Sequence, residues 1–345
     1  MPEETHTLSA PAVNLLLHVL RQQGQDTEAL CRQAGLEPAK LQDVNGRVPV
    51  ENMQALWLAA IAATQDPDLA LHVGEAVNPT SAGIIAYVMM NAATLHESLL
   101  KLCQYQDIVC EAIRTSLEVL GPEAHVKLQV ISSFLQNPRH ALDCELVIYK
   151  NAFEALVGQQ VPLQQVLFVY PRPDNIAAHE RLFAPATLVF GAPHSGFVLD
   201  AACLPWPVVT ANQELNLMFE KYAQEYLQKL KEPKNVREWV QREITQLLKG
   251  EEPGINTVAR NMAMSVRSLQ SKLKEEGVTY QTLLDEVRKE IALKHLHDNQ
   301  NTISDIAYLL GFAEPSVFSR SFKKWTGLAP AQYRQRLAWP ATFAE

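Results

Sequence analysis

The sequence predicts an α/β N-terminal domain followed by an all-α C-terminal domain with two helix-turn-helix motifs joined by a long helix. Three observations predict it. Up to about residue 210, helical periodicities alternate with short apolar runs bounded by Gly and Pro, as in a mixed α/β layer. Beyond Asn212 only three- and four-residue spacings remain. Within that helical region a single pattern occurs twice. Ile255, Val258, Ala259 and Met262 recur at an offset of 48 as Ile303, Ile306, Ala307 and Leu310. At an offset of 49, Leu269, Leu273 and Lys274 match Phe318, Phe322 and Lys323. The length of 345 residues suits two cores. A content of 47% hydrophobic and 20% charged residues excludes a disordered or fibrous chain.

In the first half, Val13, Leu16, Leu17 and Leu20 share one face of a helix over 12–23, and a second helix is expected over 50–63. The spacing of Leu95, Leu99, Leu102, Gln106 and Val109 predicts one helix over 94–113. Strands follow at 115–120 and 124–132 about a Gly121-Pro122 turn, then a helix over 138–157. Further strands are expected at 166–170, 187–190 and 196–199. Leu204-Pro205-Trp206-Pro207 reads as a rigid connector, because each proline fixes its own φ. Domains are accordingly placed at 1–210, 211–233 (a linker helix) and 234–345. The stripe Leu215, Phe219, Tyr222, Tyr226 and Leu230 on the linker helix suits either a dimer contact or packing on a domain. After Glu232-Pro233 a new helix is expected over 236–249, ended by Gly250–Gly254.

The two repeats have the layout of helix-turn-helix units, at about 255–277 and 302–327. In the first, Asn256 is the expected cap of a short helix, Ala263-Met264 the turn, Ser265 the cap of the second helix and Gly277 its left-handed stop. In the second, Thr302-Ile303-Ser304-Asp305 is a capping box, Gly311-Phe312 the turn, Pro315 the first helical residue and Gly327 the stop. Ala259 and Ala307 are small where two helices cross. Leu283, Leu284, Val287, Ile291, Leu293 and Leu296 predict one helix over 279–299, a rod of roughly 30 Å. Successive major-groove faces on one side of a duplex lie ~34 Å apart, so such a rod would hold two recognition helices in adjacent grooves.

Charge supports that partner. The chain carries a net −8, but residues 1–233 hold −11 and residues 234–345 hold +3. The total averages an acidic segment and a modestly basic segment.

The stretches VARNMAMSVRSLQSKLKEEGVTYQTLLDEVRKEIALKHL and TISDIAYLLGFAEPSVFSRSFKKWTGLAPAQYR carry a specific resemblance. Residues 237–337 resemble the DNA-binding domain of the AraC/XylS family of bacterial transcription regulators. Ile306-Ala307, Gly311-Phe312, Phe318, Phe322, Trp325-Thr326-Gly327, Pro330 and Tyr333-Arg334 match the family signature. The first 200 residues resemble the sensor domain of the ornithine-utilisation-regulator type within that family, not its cupin-like sugar-binding type. The resemblance implies double-stranded DNA, a small-molecule effector and RNA polymerase as partners, activation of transcription, and a homodimer. Family effectors include basic amino acids, aromatic and aliphatic acids, and lipids.

Base contacts are expected from outward positions in each second helix. With Leu269 and Leu273 in the core, these are Arg267, Gln270, Ser271 and Lys274. Arg267 suits guanine and Gln270 adenine. The family often has Arg where Ser271 stands, which puts a contact there in doubt. In the second copy Val317, Phe318 and Phe322 are expected in the core, leaving Glu314, Ser316, Ser319, Arg320, Lys323 and Lys324 outside. Arg320 is the base reader, Lys323 and Lys324 phosphate contacts. Arg288 on the rod either joins this surface or holds the two subdomains together as a buried ion pair with an acidic neighbour.

No P-loop, GxGxxG, HExxH or GxSxG motif occurs, and Gly191-Ala-Pro-His-Ser195-Gly196 has the wrong spacing, so no enzyme and no cofactor are expected. His295 and His297 face different ways and make a poor metal pair. Cys103 and Cys110 suit either a redox pair on one helix face or two core cysteines. His18, His140, Glu145 and Arg172 stand in apolar stretches as either ligand contacts or satisfied structural groups. The −11 of residues 1–233 would suit a cationic effector such as ornithine. Glu3 and Glu4 in place of a basic leader, five cysteines without a CxxC pair, and no apolar stretch of ~20 residues predict a reduced cytoplasmic protein off the membrane. A ligand-independent or architectural DNA binder, or an enzyme fused to a DNA reader, are the alternatives.

Overall fold

The computed structural model describes residues 6–78, 83–233, 235–248, 253–297 and 301–338. It divides into two units, Met1–Leu230 and Lys231–Glu345, each with its own core.

The first unit is α/β, as the sequence predicts. β1 (Thr7–Ser9) pairs antiparallel with β2 (Arg47–Pro49). Around this small ribbon lie α1 (Ala10–Gln22), α2 (Thr27–Gln33), α3 (Val50–Thr64) and α4 (Leu69–Ala76). The stripe of α1 is buried as its spacing requires: Val13, Leu16, Leu17 and Leu20 are all core. α5 (Ile84–Asn91) and α6 (Leu95–Tyr105) follow.

The single helix expected over 94–113 does not form. α6 stops at Tyr105, and Gln106–Ile108 is a 3-10 turn. The Gln106 amide leaves the helical stripe to clamp β3, accepting from Thr115 N–H and donating to Thr115 O at 3.0 Å. Burial of one amide that completes a strand end outcompetes a continued helix.

The main sheet runs β3-β4-β7-β5-β6. Its strands are β3 (Ile113–Leu120), β4 (Glu123–Val130), β5 (Leu163–Phe168), β6 (Thr187–Phe190) and β7 (Ser195–Asp200). β5 and β6 are parallel and the other pairs antiparallel. Alternation along β4 buries Ala124, Val126 and Leu128 on one face. The central strand β7 is buried on both faces from Ser195 to Leu199. β5 begins and ends earlier than the expected 166–170; Tyr170 instead turns its hydroxyl to Asp143 and His179.

α7 (Arg139–Val157) crosses α4 so closely that a Cβ on Gly74 would meet Cys144 O and Val147 Cβ at 2.8 Å. α8 (Ala177–Phe183) backs β6. The Leu204–Pro207 segment is fixed against the first unit: Trp206 O and Leu204 O accept from Leu95 and His96 N–H at the start of α6.

α9 (Gln213–Leu230), expected as a linker, packs on the first unit. Asn216 donates to Val88 O at 3.0 Å, Phe219 stacks on Tyr87 at 5.2 Å, and Lys101 meets Glu220 at 2.5 Å. Its stripe is divided. Phe219, Tyr226 and Leu230 face the core, whereas Leu215 and Tyr222 are exposed beside Met218.

The second unit is all-α: α10 (Val236–Leu247), α11 (Ile255–Asn261), α12 (Val266–Glu275), α13 (Tyr280–His297), α14 (Ile303–Leu309), α15 (Pro315–Thr326) and α16 (Pro330–Ala338). The Glu276 carboxylate accepts from the N–H groups of Val236 and Arg237, where the helix N-terminus favours negative charge. Glu286 on α13 binds Arg237 at 2.8 Å and Gln241 at 3.1 Å, fastening α10 to the rod. α10, expected over 236–249, ends at Leu247; residues 249–252, which include part of its expected Gly250–Gly254 stop, lie outside the described residues. Within the described residues the rod covers 18 residues, about 27 Å; residues 298–299 of the expected helix lie outside the described residues.

Candidate nucleic-acid interface and interior cavity

The internal repeat is a repeat of structure. Val258 and Ile306, Ala259 and Ala307, Met262 and Leu310, Leu269 and Phe318, Leu273 and Phe322 are buried pair by pair. The turns also repeat bond for bond. Ala263 N–H donates to Arg260 O and Met264 N–H to Ala259 O; Gly311 N–H donates to Tyr308 O and Phe312 N–H to Ala307 O. Both turns need a left-handed residue after the helix. Gly311 supplies it at φ 70°, but the first copy places Ala263 there at φ 52°.

Local chemistry sets the second helix of each unit. Ser265 caps α12, its Oγ accepting from Ser268 N–H at 3.1 Å. Gly254, not the expected Asn256, caps α11, because the helix already begins at Ile255. In the second copy the Thr302–Asp305 capping box forms in both directions, Pro315 opens α15 and Gly327 closes it at φ 81°.

On α12, Arg267, Gln270, Ser271 and Lys274 are all exposed on the side away from Leu269 and Leu273. On α15, Ser316, Arg320, Lys323 and Lys324 are exposed, as is Glu314 at the cap, which accepts from Ser316 Oγ at 3.1 Å. Two expectations change. Val317, expected in the core, is 37% exposed, and Ser319 is half-buried. The cause is the helical period: Phe318, Phe322 and Trp325 share the core face with Phe312 and Tyr333, whereas Val317 stands three and seven residues before Arg320 and Lys324 on the outer face.

Arg288 does not join this surface. It is 3% exposed, its Nε donates to Leu310 O at 2.9 Å and its Nη2 to Gly311 O at 3.3 Å. Its guanidinium lies 4.3 Å over the Phe312 ring. It therefore ties the rod to the turn of the second motif, through carbonyls and a ring.

The first unit holds a partly open cavity of about 310 Å³ among α1, α3, α5 and α7. Leu15, Trp57, Met89 and Ile148 typify its lining. Of the polar residues His18, His140, Glu145 and Arg172, Glu145 alone lines it. Its Oε1 accepts from Tyr149 at 2.6 Å, and Tyr149 Oη meets Thr115 Oγ1 at 3.1 Å. Burial pushes the Glu145 carboxyl up to about 7, against the opposing pull of the Tyr149 hydrogen bond.

The others lie elsewhere. His18 is exposed beside Gln22, Arg172 is exposed over the Phe190 ring, and His140 is half-buried, with burial lowering its pKa. Sequence reasoning misses Tyr149 and Thr115; the four-residue spacing of Glu145 and Tyr149 on one helix is the available signal. Cys103 and Cys110 do not share a helix, since α6 ends between them. Burial raises both thiols, Cys110 to about 12, so neither is a thiolate at neutral pH. His295 meets Asn301 at 3.2 Å, and the His297 side chain lies outside the described residues. Among the described residues no group of three His, Cys, Asp or Glu gathers to hold a metal, and no helix is long and apolar enough to cross a membrane.

Comparison with known proteins accords with both halves. Residues 24–208 match the arabinose-binding domain of AraC transcription regulators, and residues 258–336 match a helix-turn-helix domain. The chain is 29% identical over 326 residues to the ornithine utilization regulator of Pseudomonas aeruginosa, covering 93% of this chain and 94% of that one. It is 23% identical over 318 residues to the transcriptional regulator VirS of Mycobacterium tuberculosis, covering 92% and 93%. The crystal structure of the transcriptional regulator CdpR from Pseudomonas aeruginosa aligns over 94% of this chain and 98% of its own, with a TM-score of 0.46 at 20% identity.

Proposed function

This chain belongs to the AraC transcription regulators, and on that premise we propose that a small molecule held by its first unit controls sequence-specific DNA binding by its second. It is a DNA-binding transcription regulator with an arabinose-binding-like N-terminal domain. The finer assignment rests on one observation: the same buried positions in two successive motifs leave two second helices with polar and basic outer faces. Arg267, Gln270 and Lys274 on α12, and Ser316, Arg320, Lys323 and Lys324 on α15, are the proposed DNA contacts. Ser271 and Ser319 have shorter reach, and Glu314 suits a cytosine amino group. Exposed Val317 adds a methyl-bearing surface suited to thymine.

The proposed division of labour is effector binding and dimerisation in residues 1–210, extended by the helix 211–233, and DNA reading in residues 234–345. Homodimerisation is assigned to the outer face of α9, where Leu215, Met218 and Tyr222 are exposed. On an activated promoter the DNA-bound dimer would also meet RNA polymerase. No catalytic role is assigned to either unit.

Selection of bound duplexes from a random library by the full chain tests the reading. The expected product is a bipartite motif whose halves lie about one helical turn apart. Arg267→Ala and Arg320→Ala are each expected to weaken binding to it by about 1–3 kcal/mol and to relax sequence preference within one half. Enrichment of no motif, or unchanged preference in both variants, would overturn the assignment.

A further inference from the structure

Whatever enters the cavity of the first unit meets hydrocarbon on almost every side. Its volume of about 310 Å³ stands at the lower end of the range of small-molecule sites, roughly 300–1,000 Å³. Among the described residues that line it, Glu145 is the one charged side chain, and no Lys, Arg or His is among them. Tyr149 is the one hydrogen-bond partner of that carboxyl among the described residues. The cation whose field reaches this end, Arg47, is engaged with Thr7, Ile108 and Glu111. The titratable neighbours of Glu145 are Tyr149 and Cys144 on its own helix and Cys110 before β3; burial keeps all three protonated at neutral pH.

That lining discriminates between head groups. An α-amino acid such as ornithine would bring its carboxylate into a largely apolar cavity whose described lining offers amides and hydroxyls but no cation. A fatty acid would set a second carboxylate against Glu145, which like charges oppose. An alcohol would donate one hydrogen bond but leave the ionised half of the Glu145 carboxyls uncompensated at pH 7. A protonated amine compensates that charge and donates to the carboxylate, while its hydrocarbon body fills the apolar remainder.

We propose that the effector is a monoamine with a hydrocarbon body, its ammonium bound to the Glu145 carboxylate beside Tyr149. The proposal rests on the reading of the first unit as an effector-binding domain. It carries a proton signature. With the free carboxyl near 7, about half of the molecules hold a proton there at pH 7, and the entering ammonium expels it to solvent.

Isothermal titration of the full chain with octylamine, in buffers of different ionisation enthalpy, reads that proton directly. The comparison ligands are octanoate, 1-octanol and L-ornithine. Octylamine is expected to bind with release of about half a proton at pH 7 and almost none at pH 9. Glu145→Gln, with an unchanged or raised melting temperature showing that it folds, is expected to bind octylamine at least about tenfold more weakly and to release no proton. The inference is overturned if no ligand binds, if octylamine binds without proton release, or if 1-octanol, octanoate or ornithine binds as tightly as octylamine.

DNA affinity measured in parallel separates the two readings. Octanol or octanoate that binds and shifts affinity for DNA would sink the amine and leave effector control standing. Octylamine that binds with proton release but leaves DNA affinity unmoved would do the reverse.

Discussion

Replacing Arg288 by Met tests whether that residue holds the second motif together or reads DNA. Met keeps an unbranched buried stem and removes the guanidinium. Two carbonyls then lose donors: Leu310 O at the end of α14 and Gly311 O in the turn. Carbonyls at a helix end have no intrahelical partner, and an unsatisfied buried one costs roughly 1–3 kcal/mol. The stack on Phe312 at 4.3 Å is worth up to ~2 kcal/mol when desolvated. Against these stands the apolar burial that Met retains and the desolvation of a charge that it no longer requires. The balance is a loss of about 2–4 kcal/mol, confined to α13, α14 and α15. Hydrogen-exchange mass spectrometry of the full chain should therefore show amides in those helices opening roughly 30- to 1,000-fold more readily, with α3 to α7 unchanged. Protection altered less than fivefold together with lost DNA affinity would make Arg288 a DNA contact and refute the structural argument.

The left-handed turns give a reciprocal pair. Ala263→Gly should stabilise the second unit by about 0.5–1 kcal/mol, the strain of an L-residue at φ 52° less the added freedom of Gly in the unfolded chain. Gly311→Ala should destabilise it by ~1 kcal/mol or more, and urea midpoints of both variants check the signs. Glu145 makes a pH-dependent contribution. Its folded pKa lies above the ordinary carboxylate value, so its contribution to stability is fully present below pH ~4 and is lost as pH rises through about 7. Glu145→Gln, which mimics the protonated form, should match the wild type in stability near pH 4 and exceed it by on the order of 3 kcal/mol at pH 8, read from paired denaturation curves. The −11 carried by residues 1–233 opposes phosphate at long range. Residues 234–345 alone should bind random DNA more tightly than the full chain at low salt, and equal affinities would remove that role for the acidic unit.

The second unit is legible in the sequence because its information is local and written twice. Capping residues, left-handed stops and the buried face of each short helix act within a few positions of one another. The offset pairs then check each other: Leu269 with Phe318 and Leu273 with Phe322 share a fate in the fold because they share a place in the repeat. Val317 departs from its expected place although the signal is local, since its apolar character, not its spacing, suggests the core. The period of α15 puts Phe318, Phe322 and Trp325 on one face and Val317 with Arg320 and Lys324 on the other. Asn256 stands two residues past the actual cap, since Gly254 offers no side chain to mark the helix start.

In the first unit the element types follow from periodicity, but the places where they stop do not. α6 ends at Tyr105 where the next strand, β3, takes the Gln106 amide, and the apolar stripe from Leu95 to Val109 runs on past that point without a break. The cavity is the harder case. Leu15, Trp57, Met89 and Ile148 look in the sequence like ordinary core residues, and most residues with such spacing are. What separates a lining residue from a core residue is the absence of an opposing side chain, and that is a property of several helices at once. Glu145 shows the same dependence. On α7 it is one acidic residue among residues of a long amphipathic helix. Only the convergence of α1, α3 and α5, none of which brings a cation to it among the lining residues, turns it into a buried, near-neutral acid facing open space. The chemical identity of a ligand is thus written in what the surrounding helices fail to supply, and a motif search, which reads what is present, passes over it.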